Sequence, residues 1–259
     1  MGILNVTPDS FSDGGKYNSV QKAIDAVGQM VNEGAAIIDI GGESTRPGAD
    51  PVTESEELNR VIPVLEEALK SFPDTFFSID TTKYQIAKES LARGAHIIND
   101  VSGLQKEPRL AELCAAHQAG YVLMHSQGDP QTMQKNPEYE NVVHDIYEFL
   151  RSGIEQLEQA GVSSIITDPG IGFGKTLQHN LDIIKELKKF ITLGYPLLVG
   201  ASRKSMIGKL LDERPADGRL AGTLAVHYHC LLNGAKILRV HDVEEAVDSV
   251  KIFESLKGE

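Results

Sequence analysis

Short apolar runs alternate along the chain with longer segments in which apolar residues recur every three or four positions. Short runs of this kind are typical of buried parallel strands, and the longer spacing is typical of amphipathic helices. We count eight short runs, and they are residues 2–5, 36–40, 76–80, 96–99, 121–125, 164–168, 196–201 and 236–240. The helical spacing between them is clearest in residues 19–32 and 54–69.

Several predicted helices end at a glycine just before the next strand, where a residue in the left-handed conformation commonly stops a helix. These glycines are Gly34, Gly94, Gly120, Gly161 and Gly234. Eight strand–helix units favour an α/β fold, a single-domain (β/α)8 TIM barrel over residues 1–259, with its active site at the C-terminal ends of the strands. An open doubly wound sheet is the structural alternative, but it usually has fewer strands and a glycine fingerprint after the first.

Composition narrows the class of protein. The 259 residues include 25 Lys and Arg against 37 Asp and Glu, and the formal net charge of -12 argues against a nucleic-acid-binding surface. Cys114 and Cys230 lie far apart in apolar segments, so no disulfide or metal-ligand spacing is present. No apolar run reaches the length of a membrane span and no signal peptide is evident, so we expect a cytoplasmic protein without a membrane partner.

Every predicted strand ends in or beside a polar side chain, which is where a TIM barrel places its reacting groups. In chain order these residues are Asn5, Asp39 with Glu43 beyond it, Asp80, Asn99, His125, Asp168, Ser202 with Lys204, and Arg239 with His241. Residues of these types also cap helices, so any single one has an ordinary structural explanation. That explanation does not easily account for two carboxylates, an amide, a lysine and an arginine at one rim.

Basic residues in the loops predict a local positive site despite the acidic surplus. They are Arg46, Lys175, Arg203, Lys204, Arg239 and His241. Barrels of this class often bind phosphate after strands 7 and 8. Arg239 and His241 flank Val240 and should point to the same side of the strand, so both could donate to one anion. We expect the acidic surplus on outer helices, such as residues 54–57 and 244–245.

The glycine-rich segment 168–176 matches neither phosphate-loop nor dinucleotide spacing. We predict a tight strand-to-helix turn that lets the backbone and Phe173 approach a ligand closely.

His227 and His229 do not indicate a metal site, because residues two apart on a helix point in different directions. We predict that they are ordinary surface and core histidines.

Seven motifs, in this order, resemble those of the dihydropteroate synthase family of pterin-binding barrels. They read GILNVTPDSFSDG (2–14), DIGGESTRPG (39–48), SIDT (78–81), IND (98–100), DPGIGFGKT (168–176), GASRK (200–204) and RVH (239–241). The resemblance covers nearly the whole chain, from Met1 to about Leu256. It departs from the family in lacking a segment before Met1, and at Ser126, where the family more often has an apolar residue.

The resemblance implies a transferase of folate biosynthesis, which joins p-aminobenzoate to (7,8-dihydropterin-6-yl)methyl diphosphate and releases pyrophosphate. It implies a pterin site made of Asp80, Asn99, Met124, Asp168, Phe173, Gly200 and Lys204. It implies that p-aminobenzoate and the loops closing over it involve Phe11, Asp13, Thr45, Arg46, Pro47 and Ser202. Asn5, Arg239 and His241 would bind the pyrophosphate group, with Asn5 also a ligand of Mg²⁺, and the family implies a homodimer.

Two other functions remain open from the sequence. A methyltetrahydrofolate-dependent corrinoid methyltransferase would also bind a pterin, but it has no need for Arg46, the 202–204 run, or Arg239 and His241. A non-catalytic pterin-binding protein would not be expected to keep the metal and anion residues.

Overall fold

The computed structural model describes residues 1–7, 16–44, 49–128, 133 and 137–257, and within them eight parallel strands alternate with helices. The strands are β1 (Gly2–Asn5), β2 (Ile37–Gly41), β3 (Phe76–Asp80), β4 (Ile97–Asp100), β5 (Gly120–Met124), β6 (Ile165–Asp168), β7 (Leu198–Val199) and β8 (Ile237–Leu238). The helices are α1 (Lys16–Asn32), α2 (Glu54–Ser71), α3 (Tyr84–Leu91), α4 (Leu110–Ala116), α5 (Val142–Ala160), α6 (Leu177–Lys185), α7 (Lys188–Ile191), α8 (Ser205–Leu210), α9 (Leu220–Leu232) and α10 (Val243–Lys257).

The strands are arranged around a ring in sequence order. Strands β1 to β6 form one parallel sheet, and β7 pairs with β8. Single bridges join the two sheets, with Thr167 N donating to Pro196 O and Ile3 N donating to Val240 O, both at 2.9 Å. The last strand therefore lies beside the first, as in a TIM barrel and unlike an open sheet.

Strands β7 and β8 are shorter than the sequence predicts. Residues 196–201 and 236–240 were expected to be strands, but only two residues of each keep a regular ladder. Pro196 has no N–H to donate, which limits pairing at the start of the first segment.

The inward-facing side chains form an apolar layer inside the barrel and, two residues further along the strands, a polar layer. A small core cluster inside the ring contains Ile97, Val122 and Leu198, packed against Met1, Ile37, Ile166 and Ile237. Because side chains two residues apart face the same side of a strand, the next inward positions lie toward the carboxyl ends. Those positions are Asp39, Asn99, Met124, Asp168, Gly200 and Arg239.

Four of the five predicted helix-ending glycines are left-handed, and these are Gly34, Gly94, Gly161 and Gly234, with φ between 90° and 102°. The prediction is wrong for Gly120, which is the first residue of β5, while Gln118 takes the left-handed turn with φ of 53°. A Cβ on Gly120 would lie 3.3 Å from Ile97 Cγ1, so the glycine permits close packing between neighbouring strands.

Cysteine and histidine side chains that could suggest chemistry contribute to packing. Cys114 and Cys230 are buried free thiols. His227 is a fully buried core residue and His229 is exposed at the surface, and burial lowers the pKa of His227 to about 4, so it is neutral. In the portion of the chain that the structure describes, no helix has the length and apolarity needed to cross a membrane.

Candidate functional site

Four polar side chains form one hydrogen-bonded network at the carboxyl ends of β2, β3, β4 and β8. Arg239 donates through Nε to Asp39 Oδ2 at 2.6 Å and through Nη2 to Asp80 Oδ2 at 2.8 Å. Asn99 Nδ2 donates to the same oxygen of Asp39 at 2.9 Å. Sequence analysis placed Asp80, Asn99 and Arg239 in a site, and the structure brings them into contact.

Asp39 is the shared acceptor of this network, and motif reasoning left it without a role. It is fully buried, and within the described ranges its Oδ1 atom has no hydrogen-bond partner. An aspartate is costly in a buried strand unless its oxygens are paired. The signal in the sequence is therefore the charged residue at the centre of the apolar run Ile37–Gly41.

Burial shifts the pKa values of the two predicted pterin-binding carboxylates upward. For Asp80, burial raises the pKa to about 7, opposed by the charge of Arg239 and supported by that of Asp39. For Asp168, burial raises the pKa to about 6, opposed by the hydrogen bond from Gly170 N. Both groups can therefore change protonation state near neutral pH, which is common in functional sites.

The glycine-rich segment after β6 forms the tight turn that its sequence predicts. Gly170, Gly172 and Gly174 all have positive φ values, between 65° and 85°. Gly170 N donates to Asp168 Oδ1 at 2.7 Å, and a Cβ on Gly170 would lie 1.9 Å from His125 O. Only glycine fits at position 170. The hydrogen bond from its N–H holds the carboxylate of Asp168 at the end of its strand.

Lys204 and Phe173 pack together at the same end of the barrel. Lys204 Nζ lies 4.1 Å from the centroid of the Phe173 ring, a cation–π contact. Burial lowers the pKa of Lys204 to about 8, and the charge of Arg239 acts in the same direction. Met124 is buried at the end of β5, and Gly200 ends the β7 segment facing Arg239. These placements keep an aromatic face, a cation and a thioether at one end of the barrel.

Ser202 and His241 form a second contact, between the segments that follow β7 and β8. Ser202 Oγ lies 3.0 Å from His241 Nδ1, and His241 N donates to Ser202 Oγ at 3.2 Å. Ser202 is buried and His241 is exposed. The predicted aminobenzoate and pyrophosphate positions therefore adjoin each other here.

The predicted positive site is smaller than expected, because two of its six cations are directed elsewhere. Arg203 is paired with Asp242, with Nε to Oδ2 at 2.9 Å. Lys175 is buried behind the glycine-rich turn, with Nζ donating to Phe173 O at 2.8 Å. The loop sequence shows that a cation is present, but the direction of its side chain depends on contacts distant in sequence.

Five predicted residues cannot be placed. They are Phe11, Asp13, Thr45, Arg46 and Pro47, and all lie outside the described residues. A cavity of about 280 Å³ opens where Phe173 meets the loops after β2 to β5, and its lining includes Glu43, Thr82, Ser102, Ser126 and Met133.

Lys83 connects the loop after β2 to helix α2. Its Nζ donates to Glu43 Oε2 at 2.9 Å, to Val52 O at 2.7 Å and to Glu57 Oε2 at 2.6 Å. The acidic start of α2 lies on a helix outside the strands, as expected, but Glu57 within it is fully buried. Its charge is tolerated because Lys83 neutralises it.

Replacing Lys83 with methionine should lower the free energy of unfolding by about 2 to 3 kcal/mol, because Glu57 would remain buried without a counter-charge. Urea denaturation measures the change. Lys88→Met, at an exposed position on α3, the helix that Lys83 directly precedes, is the matched control and should shift stability by less than about 0.5 kcal/mol. Equal stability of the two variants would show that the pair contributes nothing.

Asn5 could supply one oxygen ligand to a divalent cation whose other ligands come from water and substrate. Its Oδ1 and the Asp80 side chain flank Gly41, within 4 Å of the point where a Cβ would stand. Across the described segments, no group of three or more His, Cys, Asp or Glu side chains could hold a metal. Mg²⁺ often takes few protein ligands and completes its shell with water and substrate phosphates, so the donor set fits an ion that binds together with a diphosphate.

Comparison with known proteins agrees with this geometry. The family model for pterin binding enzymes matches residues 1–241. The dihydropteroate synthase of Escherichia coli strain K12 is 48% identical over 257 residues, which cover 98% of this chain and 90% of the relative.

Solved structures show the same likeness. The dihydropteroate synthase of Xanthomonas albilineans with 4-aminobenzoic acid has a TM-score of 0.93 and 40% identity, covering 100% of this chain and 93% of that one. The dihydropteroate synthase of Clostridium difficile in the presence of pteroic acid has a TM-score of 0.92 and 42% identity, covering 99% and 95%. The (β/α)8 barrel is confirmed, and the chain belongs to the dihydropteroate synthase family of pterin-binding enzymes.

Proposed function

We propose that this transferase joins p-aminobenzoate to (7,8-dihydropterin-6-yl)methyl diphosphate, giving 7,8-dihydropteroate and pyrophosphate in folate biosynthesis. The observation that carries the proposal is the meeting of Asp80, Asn99 and Arg239 inside the barrel end that also holds Asp168 and Lys204. The ligands of the relatives agree with it. One is 4-aminobenzoic acid, the proposed acceptor, and the other is pteroic acid, which contains the bond that the reaction would form.

The pterin ring would be bound by its polar edge. Asp168 would accept the ring N–H and the exocyclic amine with its two oxygens, because Oδ1 keeps a second lone pair after it accepts from Gly170 N. Asn99 can both donate and accept, and Lys204 would donate to a ring acceptor. Phe173 would cover one face of the ring. Met124 and Gly200 would complete the pocket.

The reaction replaces a C–O bond by a C–N bond at the pterin methylene. The C–O bond breaks with its electron pair leaving on the diphosphate oxygen, and the aniline nitrogen supplies the pair for the new bond and then loses a proton. Arg239 and His241 would neutralise the charge that grows on the leaving group. Asp80 would stabilise the positive charge that develops on the electron-rich dihydropterin.

We also propose that Mg²⁺ is the cofactor, held by Asn5 and the diphosphate. When bound, it would supply additional positive charge for the departing pyrophosphate. The predicted aminobenzoate residues Phe11, Asp13, Thr45, Arg46, Pro47 and Ser202 remain predictions. Of these, Ser202 is supported by its position beside His241.

Product identity tests the proposed reaction. Purified protein incubated with both substrates and Mg²⁺ should give a product with the mass and ultraviolet spectrum of 7,8-dihydropteroate. A parallel incubation of the protein with methyltetrahydrofolate and cob(I)alamin should give no transfer of the methyl group to the corrinoid. Methyl transfer without dihydropteroate would replace the proposal by the corrinoid alternative.

We propose that the chain is a homodimer and that helices α9 and α10 form part of the interface between the two subunits. Helix α9 carries apolar residues around most of its circumference, and Leu232 at its end is 58% exposed. Ile252 and Leu256, one turn apart on α10, are also exposed. A helix that is apolar on several faces, as α9 is, is usually buried, and exposed apolar patches often mark protein–protein contacts. We further propose that the chain acts as one domain over residues 1–259 in the cytoplasm, where its two thiols would stay reduced.

Replacing Leu232 and Ile252 together with lysine should convert the dimer to a monomer, because two charges would be buried at the interface. Sedimentation velocity measures the mass. Leu210→Lys, at a comparably exposed residue on α8, is the control and should leave the mass unchanged. A wild-type monomer at micromolar concentration would refute the dimer.

A further inference from the structure

Lys175 is a buried lysine that the proposed reaction does not use. Only 2% of it is exposed, and it lies behind the turn that carries Asp168 and Phe173. Burial lowers its pKa to about 7, opposed by the nearby charge of Asp168. A lysine is rarely kept in such a position unless its hydrogen bonds are satisfied.

The ammonium group of Lys175 has an acceptor for each of its three hydrogens. Nζ lies 2.8 Å from Phe173 O, 3.3 Å from His125 O and 3.0 Å from His125 Nδ1. When Lys175 is charged, its ammonium can only donate, and His125 then accepts at Nδ1 and carries its proton on Nε2. Burial and the charge of Lys175 lower the pKa of His125 to about 2, which keeps the ring neutral.

These bonds tie the turn after β6 to the end of β5. The backbone of Gly170 approaches His125 O so closely that a Cβ would lie 1.9 Å away, and a Cβ on Gly174 would lie 2.3 Å from Gln127 O. His125 N also donates to Asp168 O at 3.0 Å. Lys175 thus occupies the inside of a turn with no room to shift independently.

Two groups on this turn would contact the pterin. Asp168 stands at the start of the turn, where Gly170 N fixes its carboxylate, and the carbonyl of Phe173 is bonded directly to Lys175. The Phe173 ring in turn lies under Lys204. A change at Lys175 would therefore move the carboxylate and the ring together.

We propose that Lys175, acting through His125, is a positioning residue that sets Asp168 and Phe173 for the pterin without touching the substrate. The inference rests on the proposed function, because it assumes that Asp168 and Phe173 bind the pterin. It assigns Lys175 to the geometry of the pterin site and removes it from the positive site that binds the anion.

The test compares Lys175→Met with Lys185→Met, an exposed lysine on the adjoining helix α6. Urea denaturation first establishes that both variants are folded. Calorimetry with 6-hydroxymethylpterin should show affinity at least about tenfold weaker for Lys175→Met and unchanged for Lys185→Met. The KM for p-aminobenzoate should change less than about twofold, because only the pterin groups move.

A second pair of variants tests the inference if Lys175→Met does not fold. Asparagine at position 125 can place an acceptor near the site of Nδ1, whereas leucine cannot. His125→Asn should therefore keep most of the pterin affinity, and His125→Leu should lose it to a similar extent as Lys175→Met. Nitrogen NMR of His125 in the wild type should show Nδ1 unprotonated.

The outcomes separate the inference from the function on which it rests. Wild-type protein that does not bind the pterin would overturn the proposed function itself. Wild-type binding with equal affinity in folded Lys175→Met, or in both His125 variants, would overturn only the positioning role. An equal rise in the KM values of both substrates would also overturn it, since that result indicates general loosening.

Discussion

Replacing Asp168 with alanine is expected to weaken pterin binding by about 1,000-fold, or about 4 kcal/mol. The carboxylate is 5% exposed and held by Gly170 N at 2.7 Å, so the pterin N–H groups would meet an oriented pair of oxygens. Without it, those donors would be buried unpaired, and each such loss costs about 1 to 3 kcal/mol. Calorimetry with 6-hydroxymethylpterin measures the change.

The control for this variant is Asp74→Ala, which removes an exposed aspartate outside the barrel mouth. Its pterin affinity should equal that of the wild type. Near wild-type affinity in Asp168→Ala would remove Asp168 from the pterin site.

The pH dependence of pterin binding gives a second measure of the same role. Burial raises the pKa of Asp168 to about 6, and only the ionised form can accept both pterin donors. Wild-type affinity should therefore fall as the pH decreases below about 6, by up to tenfold per unit. Asp80, with its pKa raised to about 7, would act in the same direction. Constant affinity between pH 7 and pH 4.5 would contradict both assignments.

Replacing Arg239 with alanine is expected to weaken binding of the pyrophosphorylated pterin by about 1,000-fold but that of 6-hydroxymethylpterin by only about tenfold. The difference arises because the guanidinium would pair with the diphosphate, and a buried charge pair is worth about 2 to 5 kcal/mol. The smaller loss reflects Asp39 and Asp80, which would lose their shared partner and shift. Calorimetry with each ligand measures the two losses.

Arg151→Ala is the control for the arginine substitution. Arg151 is 51% exposed on α5, where it pairs only with neighbouring acidic residues on that helix among the contacts described. It should leave both affinities unchanged. Equal losses for the two ligands in Arg239→Ala would remove Arg239 from the anion site.

The fold could be predicted because its signals are local and repeated. Each strand is a short apolar run, and four of the five glycines predicted to end a helix have the left-handed geometry that stops one. The lengths of β7 and β8 could not be predicted, because they depend on pairing with β6 and β1, which are distant in sequence. Gly120 was misassigned for the same reason, since its role is to pack against Ile97.

The sequence predicted which residues form the candidate site, but not which of them contact each other. Their positions at the ends of the predicted strands placed Asp80, Asn99, Asp168 and Arg239 at one end of the barrel. The sequence could not show that Asp39 joins two of them, because that contact spans 200 residues to Arg239. Nor could it separate two similar lysines, since Lys204 points to the site while Lys175 folds beneath its own turn. Side-chain direction depends on the whole fold.

The release of pyrophosphate tests the central claim most directly. It is measured with pterin diphosphate alone, with p-aminobenzoate alone, and with both, each in the presence of Mg²⁺. The account predicts rapid release only when both substrates are present, with one dihydropteroate formed per pyrophosphate. No release with both substrates, or equal release without p-aminobenzoate, would contradict it.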